Sequence, residues 1–382
     1  MLVFWILVVA DRKRWWPSGE SLRSEHESSR SRPTPLDTVV AVPARNEEEV
    51  IGECLPSLLA QSGDFLRLIY VDDRSEDRTG SLARELVSVS GRDAQVEIVE
   101  GEGPPPGWSG KLYALQQAVS LACAAPWADE VRWFLFTDAD IYHPPCSVRS
   151  LRAKADEGGF DLVSVMVRLR TASFWERLLI PPFVYFFQLL YPFRRVSDPA
   201  SRIAAAAGGC VLISRRLLEE LGGLESIRGA VIDDVTLARR AKDFGGRLWL
   251  GTSPATESRR PYDGLRDIAH MVSRTAFTQL RYSYSLLFLC LVSLAIFLVS
   301  PPILCIFALR TCDWATLLAA GGAWGIQTVT LYPVVRHQGV PWFYAATLPL
   351  ASAFYLWMTA LSAWNHRRGR GTRWKGRELD TT

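Results

Sequence analysis

The sequence predicts an α/β fold, a mainly parallel sheet covered by helices, followed by an α-helical membrane block. Three observations carry this. From about residue 38 to 281, short apolar, β-branched runs alternate with helical-period stretches, the pattern of parallel strands joined by crossover helices. Polar and acidic clusters sit at the carboxyl ends of those runs, where open α/β sheets gather ligands. Beyond them, residues 283–309, 314–335 and 341–364 carry no charged side chain. Each stretch reaches the roughly 20 residues needed to cross a hydrocarbon core.

The elements follow in order. Residues 1–10 are apolar but too short to span a bilayer as a helix. Asp11, Arg12, Lys13, Arg14, Trp15 and Trp16 come next, so positive charge follows the apolar run, the reverse of a secretory signal. Residues 1–16 therefore read as a short hydrophobic or interfacial anchor with Trp15 and Trp16 at headgroup level, or as the end of a longer segment. Residues 17–37 are polar and Pro-tipped, a flexible linker. The α/β body covers 38–282. A strand at 38–42 leads to a helix with Asn46 as N-cap and Glu49 three residues on, its apolar positions 50, 51, 54, 55, 58 and 59 at helical spacing. Strands at 66–71, 96–99 and 133–137 alternate with helices at 77–89 and 111–124. Residues 174–193, rich in aromatics and broken by Pro181 and Pro182, read as an interfacial segment, with a buried core helix as the alternative. A membrane block of about three segments covers 283–364, its first segment kinked or re-entrant at Pro301 and Pro302. A basic tail fills 365–382. Its six Lys or Arg favour the cytoplasm, whereas three spans after a cytoplasmic body place it outside, and both orientations stay open.

Composition narrows the function. The 382 residues suggest two or three folding units. Lys plus Arg number 43 against 40 Asp plus Glu, too balanced for a general nucleic-acid binder. Hydrophobic residues make up 48% and charged residues 22%, averages that hide a polar body and an apolar end. A wholly soluble enzyme, a disordered chain and a disulfide scaffold are excluded. The seven cysteines form no CxxC pair and read as reduced, mostly buried thiols. There is no HExxH, Walker loop, GxSxG or intact GxGxxG.

Five motifs remain. Asp138 and Asp140 flank one small residue at a strand end, where residues two apart share a face. Two carboxylates with phosphate oxygens and water suit Mg²⁺ or Mn²⁺. Asp72, Asp73 and Ser75 follow another strand and offer acceptors to a base and a ribose; Ser75 or Asp77 as a helix cap is the plainer reading. Lys111 ends a glycine-flanked loop entering a helix, an arrangement that suits a phosphate or is an ordinary loop. Gly208 and Gly209 permit close backbone approach or mark a tight turn. Asp233 and Asp234 open a helix, where the dipole favours acids, or supply a general base aimed at an acceptor hydroxyl.

The order of these motifs resembles the GT-A, Rossmann-like fold of family 2 inverting glycosyltransferases over about residues 38–282. The matching residues are Val42 to Glu47, Val71 to Ser75 with Asp77 and Thr79, Gly110-Lys111, Asp138-Ala139-Asp140, Gly208-Gly209 and Asp233-Asp234. GWSGKLYAL, IDDVTLARR, SRTAFTQLRYS and the C-terminal apolar block also look like the hopene-associated, hopanoid-cluster branch. The resemblance implies that Pro43, Arg45, Asn46, Glu47, Asp72, Asp73, Ser75 and Lys111 hold the donor nucleotide, with a UDP-sugar expected. It implies that Asp138 and Asp140 bind Mg²⁺ or Mn²⁺. Asp234 is then the base, with Asp233 where the family usually has Glu, and Gly208, Gly209, Gln279 and Arg281 lie on the acceptor side. Processive relatives carry QxxRW; here Gln279-Leu280-Arg281-Tyr282 is one residue short with Tyr for Trp, which argues for transfer of a single sugar. The expectation is a multi-pass protein of the bacterial inner membrane, its catalytic domain facing the cytoplasm. It moves one sugar from a nucleotide-sugar to a lipid, with a hopanoid implied by the family branch alone. A polyprenyl phosphate acceptor, or a catalytically lapsed nucleotide- or lipid-binding partner, are the alternatives.

Overall fold

The structure, a computed structural model, describes residues 1–10, 21–22, 35–61, 63, 65–368, 373–374 and 377–378. The chain divides into two compact units. One comprises Gly19–Leu169, Phe193–Arg260 and Arg373–Thr382; the other comprises Met1–Ser18, Arg170–Pro192 and Pro261–Thr372.

The first unit is built on an eight-stranded sheet. Its strands are β1 (Thr38–Ala44), β2 (Arg67–Asp72), β3 (Val96–Glu100), β4 (Trp133–Thr137), β5 (Ile141–Tyr142), β6 (Leu162–Arg168), β7 (Cys210–Ser214) and β8 (Leu248–Ser258). Their order is β3-β2-β1-β4-β7-β6-β8-β5. Every residue of β1 is buried, as befits a Val-rich strand covered on both faces. It pairs in parallel with β2 on one side and β4 on the other. The chain thus runs from β1 to one edge and returns to β4, making β1/β4 the switch point where such sheets bind ligands. Helices Ile51–Leu59, Thr79–Ser90 and Gly110–Ala124 are the crossovers. Val40, Leu68, Tyr70, Leu135, Val163, Leu212 and Trp249 belong to one core.

The strands and helices expected between residues 66 and 137 end within about two residues of those observed, the usual uncertainty of an element boundary. The sheet is mainly parallel as expected, with four parallel pairs, but it also has three antiparallel ones, β7 against β4 and β6, and β5 against β8. Other expectations need correction. Asn46 is not a helix N-cap: the helix starts at Ile51 behind Val50. Asn46 instead adopts φ +51° and is held by a neighbouring loop. Within the expected linker, Ser21 bridges to Thr252, and Leu22 donates to Thr252 O at 2.8 Å with its side chain in the core. The rest of that segment up to residue 34, together with Trp15 and Trp16, lies outside the described residues, as does most of the tail beyond residue 368.

The second unit is helical. Leu2–Ala10 forms a helix whose Trp5 is buried and donates from Nε1 to Phe297 O at 3.0 Å. Helix Phe174–Leu190 continues through Pro181 and Pro182. Its Leu178 and Leu179 pack with Ile268, Val272, Tyr355 and Met358. Its middle is buried and its ends at Phe174 and Leu190 are exposed, which fits the alternative of a buried core helix. Helix Leu265–Gln279 shares that core, so residues 170–192 and 261–282 group with the apolar helices rather than with the sheet. Pro301 and Pro302 do not turn the chain back. A π-helical turn, Leu294–Val299, precedes Ser300–Thr311, and the prolines fall in that helix's first turn, where their missing N–H is tolerated.

Two of the described segments are long and apolar enough to cross a membrane: Tyr284–Thr311 (28 residues, with an 18-residue stretch of mean hydropathy 2.5) and Trp342–Arg367 (26 residues, with one of 1.2). The expected third, now helix Trp314–His337, is not among them. Gly321, Gly322 and Gly325 and the buried Gln327 and Thr330 lower its mean hydropathy.

Candidate active site

The loops after β1 and β2 are laced together. Pro43 lies inside β1, opposite Val71. The buried Arg45 donates from Nη1 to the carbonyls of Asp73 (2.8 Å) and Arg74 (2.7 Å), and from Nη2 to Glu76 (2.8 Å). The Asn46 amide donates to Ser75 Oγ at 3.0 Å, and its side chain accepts from Glu76 N at 2.9 Å. Asp72 Oδ1 accepts from the amide and hydroxyl of Ser75. Asp73 donates its amide to Ala44 O at 2.7 Å. A Cβ at Gly80 would collide with the Asp72 carboxylate, so the helix start fits tightly beneath it. Asp77 Oδ1 accepts from Thr79 N at 2.9 Å, and the residue preceding helix Thr79–Ser90 is Arg78, which makes no side-chain cap.

Asp138 and Asp140 follow β4 in a turn closed by Ile141 N on Asp138 O (3.2 Å), so the face-sharing of an extended strand does not govern them. Asp138 Oδ1 meets Lys111 Nζ at 2.6 Å. Asp140 Oδ2 accepts from the Ser258 hydroxyl at 2.6 Å and lies 3.5 Å from Arg260 Nε. Arg260 also donates to Glu47 Oε1 at 2.7 Å, joining the β1 loop to Asp140. Burial raises the Asp138 carboxyl against the pull of Lys111. Among the described residues no group of three or more His, Cys, Asp or Glu could hold a metal ion. The donor chemistry of the Asp138 and Asp140 pair nonetheless fits a hard divalent cation that completes its shell with phosphate oxygens and water. The ammonium on Asp138 shows that this carboxylate accepts a cation at close range.

Asp234 completes the cluster. It opens helix Asp233–Asp243, and its Oδ2 accepts the Gly208 amide at 2.7 Å. A Cβ on Gly208 would sit 3.0 Å from that oxygen; glycine is what allows the approach. Lys111 Nζ reaches Gly208 O at 3.3 Å, so Asp138, Lys111, Gly208 and Asp234 are contiguous. Burial, then the adjacent Asp233 charge, pushes the Asp234 carboxyl up to about 7, against Lys111 and the amides of Val235 and Gly208. Burial alone would lower Lys111, but Asp138, Asp233 and Asp234 together raise it. The site thus holds one ammonium among carboxylates, one of which titrates near neutrality. Lys111, assigned by sequence to the nucleotide, sits here on Asp138 rather than on the β1 and β2 loops.

Gln279 and Arg281 belong to the other unit. Gln279 Oε1 accepts from Tyr191 Oη at 2.8 Å, and Arg281 and Tyr282 take positive φ where the helix ends. Sequence reasoning missed Ser258, Arg260 and His143. Arg260 stands 213 residues from Glu47, and nothing local announces the pairing. His143, three positions after Asp140, was the one visible clue.

The sheet order and the acidic cluster at its switch point define a GT-A-type α/β domain. Residues 39–222, just under half of the chain, match the family described as Glycosyl transferase family 2. It is 25% identical to an uncharacterized glycosyltransferase, EpsJ, of Bacillus subtilis over 148 residues, 39% of this chain and 38% of that protein. The match therefore spans well under half of that relative. In fold, the chain is similar to the mannosyltransferase PcManGT from Pyrobaculum calidifontis, determined in complex with GDP-Man and Mn²⁺. The TM-score is 0.52 and the identity 18%, over 95% of this chain and 94% of that one.

Proposed function

We propose that the protein is a membrane-bound, metal-dependent inverting glycosyltransferase that moves one sugar from a nucleotide-sugar to a lipid. The observation that carries this is the Asp234 carboxylate, held by the Gly208 amide and poised near neutrality beside the Lys111–Asp138 pair. In this reading the laced loops from Pro43 to Glu47 and Asp72 to Ser75 seat the nucleotide. Asp138 and Asp140 hold Mg²⁺ or Mn²⁺, which when bound offsets charge on the leaving diphosphate. Lys111 supplies a further positive charge there. Asp234 takes the proton of the acceptor hydroxyl as its oxygen attacks the anomeric carbon. The bond from that carbon to the diphosphate oxygen breaks, and the configuration inverts. Asp233 keeps Asp234 basic by like-charge repulsion.

The family 2 match supports sugar transfer, and the GDP-Man and Mn²⁺ of the fold relative suit the donor and metal. The apolar helices support a lipid acceptor reached from the cytoplasmic leaflet of a bacterial inner membrane. A hopanoid is the acceptor suggested by the sequence likeness, and UDP the expected nucleotide. The experiment is a thermal-shift and hydrolysis screen of detergent-solubilised protein against UDP-, GDP- and dTDP-sugars, with and without Mn²⁺. A metal-dependent response to one donor, absent in the Asp138→Ala/Asp140→Ala double variant, is expected. Folded protein that responds to no donor would overturn the reading.

A further inference from the structure

Beneath the acidic cluster lies a buried polar chain that the proposed reaction does not use. His143 is fully buried, and burial pushes its imidazole down to about 4, so the ring is neutral. Its Nε2 lies 2.8 Å from Thr137 Oγ1 and its Nδ1 3.2 Å from Ser147 Oγ. The Thr137 hydroxyl donates to Gly209 O at 3.0 Å. That bond uses its only proton, so its oxygen accepts from His143 Nε2–H. Nδ1 is then the acceptor for the Ser147 hydroxyl. The same Gly209 carbonyl accepts the Asp138 amide at 3.3 Å. The His143 backbone is fixed in turn: its amide donates to Ser57 Oγ at 3.0 Å, and its carbonyl accepts from Gln61 Nε2 at 3.4 Å.

One end of this chain therefore rests on the crossover helix after β1. The other grips the carbonyl shared by two loops. One loop carries Asp138; the other carries Gly208, whose amide holds Asp234. We infer that His143, acting through Thr137, is a positioning residue that sets the Asp138 loop against the Gly208-Gly209 loop. It is fully buried, and its hydrogen-bond partners Thr137, Ser147, Ser57 and Gln61 are none of the residues assigned to donor or acceptor. A buried neutral imidazole suits the task, because it donates at one nitrogen and accepts at the other along a fixed line, and an unpaired partner in such a place is costly.

The inference rests on the proposed activity, and its test separates the two. Wild-type protein must first show metal-dependent donor turnover; without it, the proposed function fails and not this chain. Given turnover, kcat, donor KM and Tm are measured for His143→Ala, His143→Gln, Thr137→Val, Thr137→Ser and the Thr137→Val/His143→Ala pair. Thr137→Val and His143→Ala each lower kcat about 10- to 100-fold, the usual cost of losing an outer-shell partner. Donor KM rises along with the loss of kcat, because Asp138, which this chain sets in place, is a proposed holder of the metal at the donor diphosphate; a change confined to Tm is what a merely structural role would give. Thr137→Ser, which keeps the hydroxyl, retains most of kcat, and His143→Gln, which keeps a donor toward Thr137, recovers part of it. The double variant is no worse than the poorer single one, as expected for residues acting in one chain. If His143→Ala does not fold, the two Thr137 variants decide alone. Folded variants whose kcat is within about twofold of wild type, or whose losses multiply, would overturn the inference. So would equal losses in Thr137→Ser and Thr137→Val.

Discussion

Asp234 concentrates the chemistry at the scale of a single residue. A carboxylate pushed up to about 7 by burial and by Asp233 is half-ionised near neutrality, where a general base works best. Turnover is therefore expected to rise with pH through about 7 and level off above it. Asp234→Asn should lower kcat roughly 10²- to 10⁴-fold while donor affinity, measured by calorimetry, holds. The same shift bears on stability. The folded-state value lies above that of an unfolded carboxylate, so this group's contribution is fully present at acid pH and is lost as pH rises through about 7. Asp234→Asn should thus raise Tm relative to wild type at pH 8 by about 2–4 °C, and not at pH 4. Asp233 and Asp234 were legible as acids opening a helix. The bond that aims Asp234 was not, because its donor, Gly208, is 26 residues away and only the folded sheet brings it near.

At the scale of the element, the glycines and strand ends decide the geometry. Gly208→Ala places a methyl 3.0 Å from Asp234 Oδ2, closer than carbon and oxygen sit comfortably, and so displaces the base. A kcat loss of about 10- to 100-fold, with donor binding retained, is the expected result of steady-state kinetics. Leu135, fully buried in β4 between β1 and β7, supports the switch point itself. Leu135→Ala should cost about 2–5 kcal/mol, read as a lowered denaturant midpoint. The strands β1 to β4 and their crossovers were legible because each is a local run of apolar, β-branched residues ending in a polar cluster. The insertion of β7 between β4 and β6 was not, because antiparallel pairing at long range leaves no mark on the local pattern. Asn46 shows the same limit from the other side. Its sequence fits a capping box, but bonds to Ser75 and Glu76 override the local preference.

For the whole molecule, the question is where the chemistry takes place. The helical segment Tyr284–Thr311 exposes Phe288, Leu289, Ile303, Ile306 and Phe307, an apolar surface of the kind that meets lipid or another protein; the proposed function takes it to meet lipid. The protein is expected to stay with membranes through alkaline carbonate extraction. An Ile296→Lys variant, with its exposed side chain near the middle of that segment, should be retained less, since a charge at the centre of a spanning helix costs about 2.5–3.5 kcal/mol. The charge-free runs made this segment visible in the sequence. That only two of the described segments meet the length and hydropathy of a span emerged from the helix limits and the polar residues buried within Trp314–His337. The most direct measurement of the central claim supplies labelled nucleotide-sugar and Mn²⁺ to membranes containing the wild-type protein or Asp234→Asn, then extracts the lipids. The account predicts label in the lipid phase, stable to mild acid and absent with Asp234→Asn. Label that stays in the aqueous phase, or that enters lipid equally with Asp234→Asn, would contradict it, and an acid-labile product would assign the acceptor to a polyprenyl phosphate instead.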